Sequence, residues 1–231
     1  MATNVLLGPK PILGNETAHG DSYMDLHVEG GIPLQGNVTL HGSKNSALGV
    51  ICGVVALRAK VVLEYVPRIS DVQELLDVLA LAGVKHEWKE CLFIDATEMH
   101  EDVDEFPACG RASLLLLGAF ARRVKPYFLA RPEGCRLGTR TSIAHTHVLK
   151  QFGIKIATKQ DGFFVENHLR AADTLLIEAS DTATENAILA AAQVPETSII
   201  ELGSTSYMVH DLLRFVRSVG GSAQQLGEHY S

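Results

Sequence analysis

The stretch LLDVLALAGVK at residues 75–85 decides the fold, because the chain contains two further versions of it. These are HVLKQFGIK at residues 147–155 and DLLRFVRSVGG at residues 211–221. Each copy has the apolar spacing of an amphipathic helix and ends on glycine, the residue that best tolerates the left-handed conformation closing a helix. We therefore expect three equivalent helices, each leading into a strand.

The glycines that end these helices are Gly83, Gly153 and Gly220, and they lie roughly 70 residues apart. A more apolar helix is predicted ahead of each copy, over residues 45–57, 112–121 and 184–192. The run Leu114 to Leu117 is apolar nearly all round, which is typical of a helix enclosed by other elements.

Strands rich in β-branched or aromatic residues lie between the paired helices, at 61–66, 126–130 and 197–202, and others follow at 91–95 and 162–166. The order strand, helix, strand, helix, strand, strand is thus given three times. It predicts an α/β domain over residues 25–231, built of three βαβαββ repeats at about 29–97, 98–167 and 168–231. Residues 1–24 mix glycine, proline, asparagine and threonine and are expected to form a loosely ordered leader.

Composition excludes several classes of protein. The 231 residues are 46% hydrophobic and carry a formal net charge of -7, which argues against nucleic acid as the main partner. Four widely spaced cysteines without a Cys-x-x-Cys pair make a zinc site or a disulfide framework unexpected. The apolar run 47–57 is too short to span a bilayer, and the chain start lacks the pattern of a secretory signal. We expect a cytoplasmic protein.

Two motifs carry the chemistry. The first is GSKNSAL at residues 42–48, where Lys44 precedes a helix and could hold an anion together with the free N–H groups of the first turn. The second is RPEGCRLGTR at residues 131–140, where Cys135 lies among arginines and glycines. Nearby cations favour the reactive thiolate, and glycines give a loop the freedom that a closing lid needs.

Together these motifs resemble the enolpyruvyl transferases, in particular those that act on UDP-N-acetylglucosamine. The resemblance runs from about Leu26 to Ser222 and implies one inside-out α/β barrel domain. The family has two such domains with the substrates in the cleft between them, and the second has no counterpart here. The implied reaction moves the enolpyruvyl group from phosphoenolpyruvate to a hydroxyl of the nucleotide sugar and releases phosphate, the entry step to peptidoglycan.

The resemblance also implies roles for single residues. Lys44, Arg111 and Arg140 would bind phosphoenolpyruvate, since a guanidinium makes paired hydrogen bonds to phosphate oxygens. Cys135 would add to phosphoenolpyruvate and deliver a proton, with Lys44 as the other catalytic residue.

Acceptor binding is implied for Asn45, His145, Ser180 and Thr182, the last two within the motif SDTATEN at residues 180–186. No metal and no organic cofactor is implied.

Each residue also has a simpler structural interpretation. Lys44 and Arg111 could be solvated side chains near helix starts, and an isolated cysteine such as Cys135 is often a buried apolar filler. Asp181 to Thr184 could simply cap a helix whose first turn accepts Glu185.

Some residues depart from the family pattern. Residues 141–145 read TSIAH where the family has Pro-Val-Asp-Leu-His and uses it to hold uridine, Glu178 replaces a lysine, and a Glu-Pro-Glu-Ile-Val-Asp element is reduced to SYMVHD at 206–211. Either the acceptor is a different nucleotide, or the site has decayed. A third hypothesis is a non-catalytic module that associates with a second domain, a full-length relative or itself.

Overall fold

The computed structural model describes residues 3–6, 31, 33, 35–38, 40–110, 112–132 and 141–231. Helices and strands alternate through these residues. The helices are α1 (Lys44–Ala56), α2 (Ser70–Leu81), α3 (Ser113–Ala119), α4 (Ile143–Gln151), α5 (Asp181–Ala191) and α6 (Tyr207–Ser218).

The strands are short, two to six residues each. They are β1 (Thr3–Leu6), β2 (Lys60–Glu64), β3 (Lys85–Trp88), β4 (Leu92–Asp95), β5 (Glu105–Phe106), β6 (Tyr127–Ala130), β7 (Ile154–Thr158), β8 (Gly162–Asn167), β9 (Asp173–Leu175), β10 (Ile199–Glu201), β11 (Gln225–Leu226) and β12 (His229–Tyr230). The predicted α/β class is confirmed.

The strands form three four-stranded sheets with one common order. Their orders are β1-β2-β4-β3, β5-β6-β8-β7 and β9-β10-β12-β11. In each sheet the first pair is parallel and the other two pairs are antiparallel. Hydrogen-bonded neighbours fix the register, as where Val61 lies opposite Ile94 and Tyr127 opposite Val165.

The helices that begin each unit, α1, α3 and α5, contact one another in the core. All of α3 and residues 46–56 of α1 are buried, as are residues 183–190 of α5. The following helices α2, α4 and α6 bury only one face, as an amphipathic pattern predicts. The apolar helices of the sequence are therefore the inner ones.

The predicted helix ends are confirmed at all three glycines. Gly83, Gly153 and Gly220 have φ angles of +88°, +82° and +97°, where a side chain would be strained. β3 and β7 follow the first two glycines directly, as predicted. The third copy differs, because β11 begins only at Gln225, after a short connection.

The first sheet includes a strand that the sequence argument did not expect. Residues 3–6 form β1, which pairs in parallel with β2 from Thr3 opposite Val61 to Leu6 opposite Glu64. At these four residues the expected loosely ordered leader is thus replaced by an edge strand. The composition of residues 1–24 gave no signal for this strand, because its pairing partner, β2, lies far along the chain. The rest of residues 1–24 lies outside the described residues.

Candidate functional site

The first residue of α1 carries a charge that is unusual at the start of a helix. Lys44 is the first residue of the helix, and no acidic residue lies in the first turn. A cation at the positive end of a helix dipole is unfavourable, whereas an anion there is stabilised. Asp71, in the first turn of α2, compensates by accepting a hydrogen bond from Lys44 Nζ at 3.1 Å, and both side chains remain nearly half exposed. The ammonium is thus held at the edge and accessible to a ligand anion.

Ser43 and Tyr207 connect the start of α1 to that of α6. The Ser43 hydroxyl caps α1 by accepting from the N–H of Ser46 at 3.3 Å, and it donates to the Tyr207 hydroxyl at 3.2 Å. The Tyr207 side chain is an exposed phenol, and the neighbouring Asn45 is also exposed. The starts of α1 and α6 thus form one edge of the molecule, which offers the Lys44 ammonium, the Asn45 amide and the Tyr207 phenol to solvent.

The start of α5 has the same cap. Ser180 accepts from the N–H of Ala183 at 3.4 Å, so the cap lies one residue ahead of the segment 181–184 that was expected to provide it. Ser204, which lies just before α6, donates to Asp181 and accepts from the N–H of Ser206 at 3.2 Å. The starts of α5 and α6 are thereby joined, on the same edge as Lys44.

His145 lies inside this edge rather than on its surface. Its ring is 2% exposed and lies between Thr182 and Asn186. Asn186 Nδ2 lies 2.8 Å from His145 Nδ1, and because an amide nitrogen only donates, Nδ1 accepts. In a neutral ring the proton is then on Nε2, which donates to the Thr182 hydroxyl at 3.3 Å. His145 can therefore position Thr182, while the ring itself is screened from solvent.

The amide side chains of Asn186 and Gln193 clamp α3 against α5. Asn186 accepts from the N–H of Gly118 at 2.9 Å and donates to the carbonyl of Leu114 at 2.9 Å. Gln193 repeats this, accepting from the N–H of Arg122 at 3.1 Å and donating to the carbonyl of Gly118 at 2.8 Å. Gly118 permits the contact, since a Cβ there would lie 2.5 Å from the Asn186 amide oxygen. These residues fix the scaffold of the site.

Glu185 is a buried acid at a position that the sequence analysis assigned to the first turn of a helix. Since α5 begins at Asp181, earlier than predicted, Glu185 lies in the second turn. It is 1% exposed, and its carboxyl group fills the space that a Cβ on Gly49 of α1 would need. Its Oε1 has no hydrogen-bond partner among the described residues. Burial, with a smaller contribution from the Asp181 carboxylate, raises the pKa of Glu185 to about 8. The carboxyl is therefore protonated near neutrality.

Three predicted site residues, Arg111, Cys135 and Arg140, lie outside the described residues. The chain that leads to Cys135 and Arg140 is held at its described end, because Arg131 donates to the carbonyls of Lys159 and Gln160 at 2.6 and 2.9 Å. Of the remaining predictions, Lys44 and Asn45 lie at one edge with Ser180 and Thr182, joined through the starts of α1, α6 and α5.

Two residues of this edge, Asp71 and Tyr207, were missed by sequence reasoning. Their only signal is position, since each lies in the first turn of a helix. Neither position indicates which other helix start the side chain will contact. In the part of the chain that the structure describes, no helix has the length and apolar character needed to cross a bilayer.

Comparisons with known proteins give one consistent family. The sequence profile of EPSP synthase (3-phosphoshikimate 1-carboxyvinyltransferase) matches residues 28–230. The UDP-N-acetylglucosamine 1-carboxyvinyltransferase of Bradyrhizobium diazoefficiens is 34% identical over 204 residues, which is 87% of this chain and 47% of the relative. That of Borreliella burgdorferi is 33% identical over 206 residues, 87% of this chain and 48% of the relative. The chain thus spans about half the length of these relatives.

Solved structures agree on the fold. The enolpyruvyl transferase NikO from Streptomyces tendae superimposes with a TM-score of 0.70 at 19% identity, over 82% of this chain and 46% of that one. EPSP synthase from Acinetobacter baumannii superimposes with a TM-score of 0.66 at 16% identity, over 84% of this chain and 46% of that one.

Proposed function

This chain belongs to the EPSP synthase family, and on that premise we propose that it binds phosphoenolpyruvate at the start of α1 and supplies the catalytic-loop half of an enolpyruvyl transferase site. The acceptor in this proposal is a hydroxyl of UDP-N-acetylglucosamine, which the names of the relatives favour. The reaction would contribute to peptidoglycan precursor synthesis.

The observation that carries the proposal is the exposed ammonium of Lys44 at the positive end of α1. Its single anionic partner among the described residues is the half-exposed Asp71. A phosphate or carboxylate of the ligand would gain from the ammonium and from the free N–H groups of the first turn together. The first turn of α1 contains no acidic residue of its own, so this placement of the ammonium favours anion binding.

The remaining roles follow the family pattern. Arg111 and Arg140 would hold the phosphate of phosphoenolpyruvate, and the thiolate of Cys135 would add to its C2 while C3 takes a proton. In transfer, the acceptor hydroxyl adds to C2 of phosphoenolpyruvate and gives up its proton to a base while C3 takes a proton, and loss of inorganic phosphate from C2 with a proton from C3 then restores the double bond. Asn45, Ser180 and Thr182 would contact the acceptor, and His145 would act by holding Thr182.

Architecture forms part of the proposal. Three sheets of one strand order around the mutually contacting α1, α3 and α5 support an inside-out barrel of three βαβαββ repeats. The second half of the cleft would come from a further domain, a full-length relative or a second copy. Proton removal and delivery need groups positioned on both sides of the reactants, so this half alone is expected to turn over slowly.

A second acceptor is favoured by a specific observation. Ile143, where the family has an aspartate, is 61% exposed at the start of α4, and the exposed Glu178 stands where the family has a lysine. Both changes remove polar or cationic groups from the acceptor side. An acceptor nucleotide other than UDP-N-acetylglucosamine would fit this edge, and binding competition between nucleotides distinguishes the two.

A non-catalytic binding module remains the third hypothesis, which turnover by the chain alone would exclude.

Mass spectrometry of the intact chain tests the proposal. After incubation with phosphoenolpyruvate, we expect a gain of one phosphoenolpyruvate mass on Cys135, and likewise one reagent mass with an epoxide mimic. Cys52 and Cys109 are buried and Cys91 is partly exposed, so they serve as internal controls. A Cys135→Ser variant must lose the adduct. An unmodified Cys135 under saturating ligand would contradict the proposal.

A further inference from the structure

One cavity among the described residues lies away from the candidate site. It has a volume of about 510 Å³, within the range of small-ligand sites, and its walls follow the C-terminal ends of α3 and α5. Its polar lining consists mainly of Arg122, Arg123 and Arg170, with Glu196 as the only lining carboxylate among the described residues. Of the predicted site residues that the structure describes, Lys44, Asn45, His145, Ser180 and Thr182, none lines it.

None of these three arginines has a carboxylate partner within ion-pair distance among the described residues. In a chain of net charge -7, a cluster of three such guanidiniums in one cavity is unexpected. Carbonyl oxygens at the helix ends attract cations and account for part of the placement. Arg122 donates to the carbonyl of Gln193 at 2.7 Å and Arg170 to that of Gln151 at 3.3 Å.

These carbonyl contacts leave most donors unused. A guanidinium has five N–H groups, and each of the exposed Arg122 and Arg170 uses one in a side-chain hydrogen bond to the described residues. The two side chains come from different segments, after α3 and after β8, so they approach the cavity from separate walls. This leaves paired donors available for a planar or tetrahedral anion.

Arg123 supplies a fixed charge behind them. It is 6% exposed and donates to the carbonyls of His100, Glu101 and Val103. Its guanidinium also lies 5.4 and 5.7 Å from the rings of Phe106 and Tyr127. These contacts hold the arginine in place, and the Glu101 carboxylate, which interacts with the Arg123 charge, offsets part of it. The cavity therefore has a preorganised guanidinium in one wall.

The remaining walls are apolar, formed by Ala121, Val124, Leu169, Val194 and Pro195. We propose that this cavity is a second anion site, which takes a small carboxylate or phosphate with an apolar body on Arg122 and Arg170 over the fixed charge of Arg123. The site is separate from the proposed phosphoenolpyruvate site and does not depend on it.

Amide NMR and calorimetric titrations of the full chain test this with phenyl phosphate, benzoate and inorganic phosphate as probes. We expect amide shifts at residues 121–124, 193, 194 and 196, and binding of phenyl phosphate or benzoate at least several-fold tighter than inorganic phosphate. Whichever of the two aromatic probes binds tighter identifies the head group. The double variant Arg122→Gln with Arg170→Gln is expected to weaken binding at least tenfold.

Three variants keep the result unambiguous. Arg214→Gln, a matched change at an exposed arginine of α6, leaves binding unchanged, and Lys44→Gln removes only binding at the start of α1. Glu196→Gln is expected to tighten binding two- to fivefold by removing a like charge, and it is informative even if the double variant folds poorly. Shifts confined to the start of α1, or unchanged affinity in both Glu196→Gln and the double variant, would overturn the proposal.

Discussion

The first turns of α1 and α5 share a cap but differ in charge. Ser43 and Ser180 each accept from the N–H three residues on. α1 then begins with the cation Lys44, whereas α5 begins with the anion Asp181 and continues to the buried Glu185. Asp181 thus supplies a negative charge at the positive end of α5, whereas the first turn of α1 has none of its own and favours an anion from outside the helix. The two repeats therefore share the serine cap but place opposite charges at the first residue of the helix.

Glu185 provides the largest expected effect on this comparison. Its pKa is raised from 4.5 to about 8, so between these values the folded chain keeps a proton that the unfolded chain releases. The free energy of unfolding therefore falls as pH rises through this window, by about 5 kcal/mol at most. Glu185→Gln should flatten this dependence, measured by urea unfolding at pH 5 to 9.

The matched control is Glu178→Gln, at an exposed carboxylate just before α5. It should leave the pH dependence as in the wild type. If the wild-type stability were level between pH 5 and 8, or if both variants behaved alike, Glu185 would not be a neutral acid inside the core.

Lys44→Gln is expected to weaken phosphoenolpyruvate binding about 10- to 100-fold, in line with roughly 1.5–3 kcal/mol for a hydrogen bond to a charged group. Lys85→Gln removes another exposed, ion-paired lysine and should have no effect. Calorimetric titration of both variants makes the measurement. If the two variants bound phosphoenolpyruvate with equal affinity, the charge difference between α1 and α5 would not be the basis of binding.

The serine caps should be equivalent in stability. Ser180→Ala is expected to cost about 1 kcal/mol of unfolding free energy, and Ser43→Ala the same plus its bond to Tyr207. Urea unfolding measures both. A cost near zero at either serine would show that the shared cap is not a stabilising feature of that helix.

Tyr207→Phe should have the smallest effect, up to about 1 kcal/mol, because it removes only the exposed hydrogen bond to Ser43. A double-mutant cycle with Ser43→Ala isolates this contact. A coupling energy indistinguishable from zero would mean that the starts of α1 and α6 are not joined through these hydroxyls.

Local chemistry made part of this structure predictable from sequence. Gly83, Gly153 and Gly220 mark helix ends, because the required positive φ selects glycine whatever lies around it. The apolar inner helices follow equally from their composition. Capping was expected at the start of α5, within residues 181–184, and the cap lies one residue earlier, at Ser180.

Contacts between distant segments were not predictable in this way. The inward turn of Glu185 and the burial of His145 depend on packing across repeats, and the clamp of Asn186 on α3 joins residues about 70 positions apart. The basic cavity arises from segments that meet only in the fold. The periodicity of a single sequence describes one helix or strand at a time, so it gives no signal for contacts between distant segments.

An amide NMR titration with phosphoenolpyruvate tests the central claim most directly, since it observes both helix starts at once. We predict saturable shifts at Lys44, Asn45 and Ser46, absent in Lys44→Gln, with the amides of Asp181 to Glu185 unchanged. Shifts at the first turn of α5 without any at α1, or no saturable shift anywhere in the chain, would contradict the account.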